Sequence, residues 1–267
     1  MPPQPSTQNL KPSELASSRA FIHRWLAAAY TYPDAESWNW LWQPQTQLAL
    51  NIAVAAVGAA SPPRLSFPAA TVRGGDAAPT DLESIQSAYR AAFGHTVRGD
   101  CPPHEIEYGE LKADPLFQPH RLADIAAFYK AFGMEIAPDA KDRPDFIAAE
   151  FEFMAVLCAK ECYALENNLP AEQLALCRDA QRDFLRDHLA RWTPAFTRRV
   201  ERLTASHYLR ALAVFTREFI LSECKRAGAP SGNEDLNLRP ADVAGETMCD
   251  SCGVADANFP GAIAEKV

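Results

Sequence analysis

Apolar residues recur along this chain at spacings of three and four, the period of a helix with one buried face. From Ser13 to Tyr30 the positions Leu15, Phe21, Ile22, Trp25, Leu26 and Tyr30 form one stripe, which Pro33 ends. A second helix is expected from Asp34 or Ser37 and holds Trp38, Trp40, Leu41 and Trp42. Pro44 interrupts, and Gln47 to Ala60 resumes a helix. Ser61 to Pro79, rich in proline, glycine and alanine, reads as a loop or linker. Asp81 is placed as the cap of a helix through Phe93, with Leu82, Ile85, Ala88, Tyr89 and Phe93 on one side and Gly94 beyond its end. His95 to Pro119 is polar and irregular.

Leu122 to Leu165 reads as two helices joined by a short loop. The second is expected to start near Asp142, with Asp142 as cap, Pro144 in the first turn and Asp145 favourable to the helix dipole. On that helix Glu150 has Phe146 and Ile147 one turn before it and Phe153 and Met154 one turn after. An ionised carboxylate buried among apolar neighbours is costly, so such a group is paired, hydrogen-bonded or protonated. It either pins helices together or marks a site for a partner.

A further helix is expected over Ala171 to Trp192, with Pro194 near the start of the next, and the pattern runs from Ala195 to Arg226 with a break near Thr204 to Ser206. Gly228 and Pro230 close it. His188 sits among apolar neighbours and is expected to bond a backbone carbonyl in the core. Strand alternation is missing throughout. The expectation is an all-α fold: one globular domain of about eight to ten helices over residues 1–230, then a polar tail over 231–267.

Composition narrows the function. With 48% hydrophobic residues over 267 positions the chain supports a real core, and a net charge of −8 argues against nucleic-acid binding, which needs a basic face. The N-terminus, MPPQPSTQNLKPSE, has no signal pattern, and the weakly polar stretch Leu48 to Ala60 is too short to span a bilayer, so a cytoplasmic location without membrane insertion is expected. Of seven cysteines, Cys158, Cys162, Cys177 and Cys224 lie in apolar helical patterns, as in a reducing compartment.

Two stretches carry potential metal ligands. Cys101-Pro102-Pro103-His104-Glu105-Ile106-Glu107-Tyr108-Gly109 offers Cys101, His104 and Glu107, but a zinc deaminase needs H-x-E, and Ile106 stands where that glutamate would be. Met248-Cys249-Asp250-Ser251-Cys252-Gly253 contains a lone C-x-x-C with no second pair to complete a tetrahedral site. A helical metal-binding protein or metalloenzyme using Cys101, His104, Glu107, Cys249 and Cys252 is therefore the alternative reading. P-loop, G-x-G-x-x-G, H-E-x-x-H and G-x-S-x-G patterns are absent, so neither catalysis nor a cofactor is expected.

The run Asp142-Arg143-Pro144-Asp145-Phe146-Ile147-Ala148-Ala149-Glu150-Phe151-Glu152-Phe153-Met154 resembles the E-x-P-D-H-x-x-x-E-x-x-F/Y signature of the TorD/DmsD/NarJ family, chaperones that mature molybdenum-containing oxidoreductases. Leu122 to Gly133 is similar to the family's preceding helix, Tyr89 to Phe93 to its Y-x-x-x-F helix, and Phe184, His188, Leu189, Trp192 and Phe196 to a later pattern. The Cys101 to Gly109 loop resembles the branch serving selenate and chlorate reductases and ethylbenzene dehydrogenase. One departure is Phe146, where the family has histidine.

The resemblance implies a non-catalytic cytoplasmic chaperone for the apo catalytic subunit of a dimethyl sulfoxide reductase-superfamily molybdoenzyme, or for its twin-arginine signal peptide. The chaperone would be a monomer or homodimer. The expected partner site comprises Asp142, Arg143, Pro144, Asp145 and Glu150, with Pro103 and a groove lined by Tyr89, Phe93, Tyr108 and Phe146. An acidic surface suits paired arginines, which carboxylates bind in bidentate fashion. A structural subunit retained in the mature oxidoreductase is a third reading.

Overall fold

The computed structural model describes residues 10–58, 82–94, 99–109, 117–137 and 142–239. The helices are α1 (Pro12–Tyr30), α2 (Ala35–Trp42), α3 (Pro44–Val57), α4 (Leu82–Phe93), α5 (Phe117–Ala131), α6 (Ile147–Glu166), α7 (Ala171–Phe184), α8 (Ala190–Leu203) and α9 (His207–Ala227). A π turn over Leu185–Leu189 carries α7 into α8 without a break, so these nine segments make eight rods. The all-α expectation holds among the described residues. The linker over Ser61 to Pro79, the Asp81 cap and the Cys249–Cys252 pair lie outside them.

Local chemistry sets most of the boundaries. The Asp34 carboxylate accepts from the N–H groups of Glu36 and Ser37 at 2.8 and 2.9 Å and starts α2 as expected. Pro44 opens α3 instead of interrupting the helix before it, because a proline at the first helical position loses no hydrogen bond. Gly228 ends α9 at φ +68°, a conformation that side chains with a Cβ resist.

Pro194 lies near the start of α8 as expected, but in its second turn, and α8 runs on from α7 through the π turn without a break. A proline there leaves the carbonyl four residues earlier without its donor. That carbonyl belongs to Ala190, and the N–H of Gly232 binds it from outside at 2.9 Å. A Cβ on Gly232 would lie 1.9 Å from the Arg191 carbonyl oxygen, so only glycine can approach the rod this closely. Residues 231–239, the start of the expected tail, thus lie along the body.

The core forms where α1 packs along α6, with α8 and α9 alongside. Tyr30 stacks on Phe151 with centroids 6.0 Å apart, shares a hydrogen bond with Thr216 at 3.0 Å, and accepts at its carbonyl from the Tyr89 hydroxyl at 3.0 Å. Each buried ring contributes about 1.5–3 kcal/mol. Tyr89, Phe93 and Tyr108, expected as walls of an open groove, are packed into this core.

The α1 stripe also carries charge inward. Arg19 donates its Nε to both oxygens of Glu223 at 2.9 Å and its Nη1 to Glu161 at 3.0 Å. Its Nη2 reaches Gln181 at 2.6 Å. Burial favours the neutral form of Glu223, but Arg19 and His23 outweigh it and hold the carboxyl far below its ordinary value.

Candidate partner-binding site

The site is framed by residues 103–109, a stretch with one 3-10 turn over Glu105–Glu107, held on both sides. On one side Glu105 donates its N–H to the Asp145 carbonyl at 3.0 Å and Ile147 donates to the Pro103 carbonyl at 3.0 Å, bridging His104 to Phe146. On the other, Gly109 donates to Asn237 at 3.1 Å and Arg239 to Glu107 at 2.9 Å. Pro103, with no N–H of its own, thus serves as the acceptor for the first residue of α6.

This pairing corrects the expected helix start. α6 begins at Ile147 with Phe146 as its cap residue, and Asp142 to Asp145 lie before it in a turn, so Asp142 caps nothing. The Asp145 side chain is fully buried and committed elsewhere. It accepts from the Ile106 N–H at 3.1 Å and from Arg143 Nε and Nη2 at 2.9 and 2.7 Å. Arg143 extends to Glu107 at 3.6 Å. Pro144 contributes its carbonyl, which accepts from the Tyr129 hydroxyl at 2.8 Å and ties α5 to the turn.

Behind the turn lies a buried ionic cluster that the sequence did not suggest. Glu105 is fully buried and accepts from His188 Nδ1 at 3.1 Å, Arg191 Nε at 3.2 Å and Arg121. Burial raises its carboxyl, but the hydrogen bond and charge of His188, with Arg121 and Arg191, outweigh this and hold it below its ordinary value. The partner of His188 is therefore a carboxylate and not the expected carbonyl, and its other ring nitrogen lies 3.4 Å from Asp124. The π turn places His188, Arg191 and Trp192 on the side facing this cluster. Such turns are often found at functional sites.

Glu150 is fully buried and meets Trp192, whose Nε1 donates to its two oxygens at 3.2 and 3.3 Å. Burial, then the charge of Glu105, pushes the Glu150 carboxyl well above its ordinary value, toward the neutral form. Trp192 in turn packs on Tyr108 with centroids 5.2 Å apart.

On the solvent side of the turn opens a cavity of about 310 Å³. Tyr129, Met134, Ile136, Phe146, Ala148 and Ala149 form its apolar lining, and the exposed carboxylates of Glu135, Asp142 and Glu152 its rim. Of the expected site residues, Asp142 and Phe146 reach this cavity. Asp145 and Glu150 lie beneath it, and Tyr89, Phe93 and Tyr108 belong to the core. Phe146 packs against His104, centroids 5.5 Å apart. Sequence reasoning missed Tyr129, Met134, Ile136, Glu135 and Glu152.

Cys101, His104 and Glu107 do not assemble into a ligand set. The Cys101 N–H binds the Ala92 carbonyl at 3.0 Å, His104 faces Phe146, and Glu107 faces Arg143. Burial pushes the Cys101 thiol up to about 11 and the His104 ring down to about 4. Among the described residues, His23, Cys158 and Glu223 do bring ligand atoms within 4.8 Å of one another, all fully buried. Glu223 is already saturated there by the Arg19 guanidinium, which supplies the cationic charge a metal would bring.

The cavity thus joins an apolar lining to a carboxylate rim on an all-helical body. Residues 61–198, just over half the chain, match the family model described as nitrate reductase delta subunit. The chain belongs to that family, the TorD/DmsD/NarJ group of molybdoenzyme maturation chaperones, which is non-catalytic.

The chain is 34% identical over 119 residues to the selenate reductase assembly chaperone protein of Thauera selenatis, covering 45% of this chain and 58% of that one. It is 39% identical over 80 residues to the chlorate reductase assembly chaperone protein of Ideonella dechloratans, covering 30% and 40%. A third relative, the perchlorate reductase assembly chaperone protein of Dechloromonas aromatica strain RCB, is 30% identical over 103 residues, covering 39% and 45%. The matches span about half the length of these relatives. Among the described residues no helix is long and apolar enough to cross a membrane.

Proposed function

We propose that this protein is a cytoplasmic chaperone that binds the apo catalytic subunit of a dimethyl sulfoxide reductase-superfamily molybdoenzyme, through its body or its twin-arginine signal peptide. It holds the subunit until the molybdenum cofactor is inserted and export is allowed. The observation that carries the reading is the cavity beside the Asp142–Asp145 turn, where an apolar lining meets three exposed carboxylates. An apolar side chain fills the lining, while neighbouring arginines meet Glu135, Asp142 and Glu152 as charge-assisted, bidentate pairs. Asp145, Arg143, Pro144, Pro103 and Glu150 act from beneath, holding the turn and the start of α6 in place.

The relatives that assemble selenate, chlorate and perchlorate reductases support a client that handles an oxyanion. Affinity capture of this protein from its native cell, with mass spectrometry and metal analysis of what is retained, tests the proposal. The expected result is a molybdoenzyme catalytic subunit lacking its cofactor. Recovery of only the finished, cofactor-loaded enzyme would make this chain a structural subunit. Near-stoichiometric metal on this chain alone would favour a metal-binding role.

A further inference from the structure

α3 is the one helix among the described residues with no Asp, Glu, Lys or Arg, on a chain in which 22% of residues are charged. Its inner side buries Thr46, Leu50, Ala53, Val54 and Val57. Its outer side presents Gln45, Leu48, Asn51, Ile52 and Ala55 to solvent. Leu48 is 62% exposed and Ile52, one turn on, 61%. Isolated exposed apolar residues are ordinary, but an outer helix face normally carries charge. The helix is firmly seated: Gln47 donates to the Leu41 carbonyl at 2.6 Å and Arg226 to the Val57 carbonyl at 3.0 Å.

We propose that the exposed face of α3 is the contact between two copies of this chain. Charge selects the occupant. Each copy carries a net charge of −8, so two copies repel wherever acidic surfaces meet, and an uncharged face opposes its own copy with no like charges. A twofold axis across α3 sets Leu48 and Ile52 against the same pair on the other copy, a ridge that four-residue spacing can interdigitate. A basic partner is drawn instead to the carboxylate rim, which α3 lacks. A 14-residue helix is about 21 Å long and offers less than the roughly 800 Å² per partner of a standard interface, so the dimer is weak and concentration-dependent.

The test is sedimentation velocity of the full chain over a concentration series at low salt and at roughly 1 M salt, where charges are screened beyond about 3 Å. The expected result is a mass that rises toward twice that of the chain with concentration, and further at high salt. Ile52→Gln should weaken association about tenfold, and Leu48→Lys with Ile52→Lys should leave a monomer at every concentration. Because both side chains are exposed, the circular dichroism melt of the variants should match that of the wild type. A monomer under all conditions would overturn the proposal, as would a dimer unchanged in the double variant. Weak hydroxyl-radical labelling of the Leu48 and Ile52 side chains in the monomer would overturn it too, by showing the face covered within one chain.

Discussion

The indole N–H of Trp192 is shared between the two oxygens of Glu150, at 3.2 and 3.3 Å, with both side chains fully buried. A single donor does not suffice to hold an ionised carboxylate in a core. The pair joins α6 to α8, and burial, Glu105 and Asp145 all raise the Glu150 carboxyl well above its ordinary value, toward the neutral form.

Glu150→Gln keeps the shape of the protonated group without the cost of taking up a proton on folding, so the variant should be at least as stable as the wild type near neutral pH. The sign of its pH dependence is distinctive. A carboxyl whose folded value is raised contributes stability in full below its unfolded value of 4.5 and loses it as pH rises through the folded value. Denaturant unfolding of the wild type should show this loss as a slope of up to about 1.4 kcal/mol per pH unit that Glu150→Gln lacks.

Glu223 behaves in the opposite sense. Its carboxyl is held far below 4.5, so its contribution is present above 4.5 and is lost as pH falls through the folded value. Glu223→Gln strands the Arg19 guanidinium and should cost about 3–5 kcal/mol at pH 7, measured by urea unfolding. Replacing Arg19 and Glu223 together by Met and Leu should cost less than that single change.

Gly232→Ala drives a methyl group into the Arg191 carbonyl and should cost about 1–3 kcal/mol. The Gly232 N–H would leave the Ala190 carbonyl, which Pro194 cannot serve. Limited proteolysis should then cut within residues 231–239 in the variant and spare the same stretch in the wild type.

Much of the fold was legible in the sequence. The Asp34 cap, the end of α1 before Pro33, the break at Thr204 to Ser206 and the Gly228 stop are local signals, and each appears where its chemistry predicts. What failed depended on distant partners. Asp142 looked like a cap, but Ile147 takes its acceptor from Pro103, and Asp145 is drawn to Ile106 and Arg143. Pro194 looked like a boundary, and only the approach of Gly232, 38 residues later, lets it stand inside a rod. The Glu105 cluster left no periodic trace, because it gathers one loop residue with cations from α5 and the α7–α8 rod. Arg19 and His23 did leave one: both occupy core-facing positions of α1, four residues apart.

The same geometry separates structural from contacting carboxylates in the candidate site. Asp145→Asn gives up charge on a fully buried group that holds Arg143 and the Ile106 N–H, and should lower stability by about 1.5–3 kcal/mol, measured by thermal and urea unfolding. Asp142→Asn and Glu152→Gln alter exposed groups and should shift stability by no more than about 0.5 kcal/mol.

The most direct test of the account is calorimetric titration of the apo catalytic subunit into the full chain, wild type against the Asp142→Asn, Glu152→Gln double variant. If the rim of this cavity receives the client, the double variant should bind at least about tenfold more weakly, about 1.4 kcal/mol, while melting as the wild type does. Equal affinity in the two proteins would contradict the assignment of the client to this cavity.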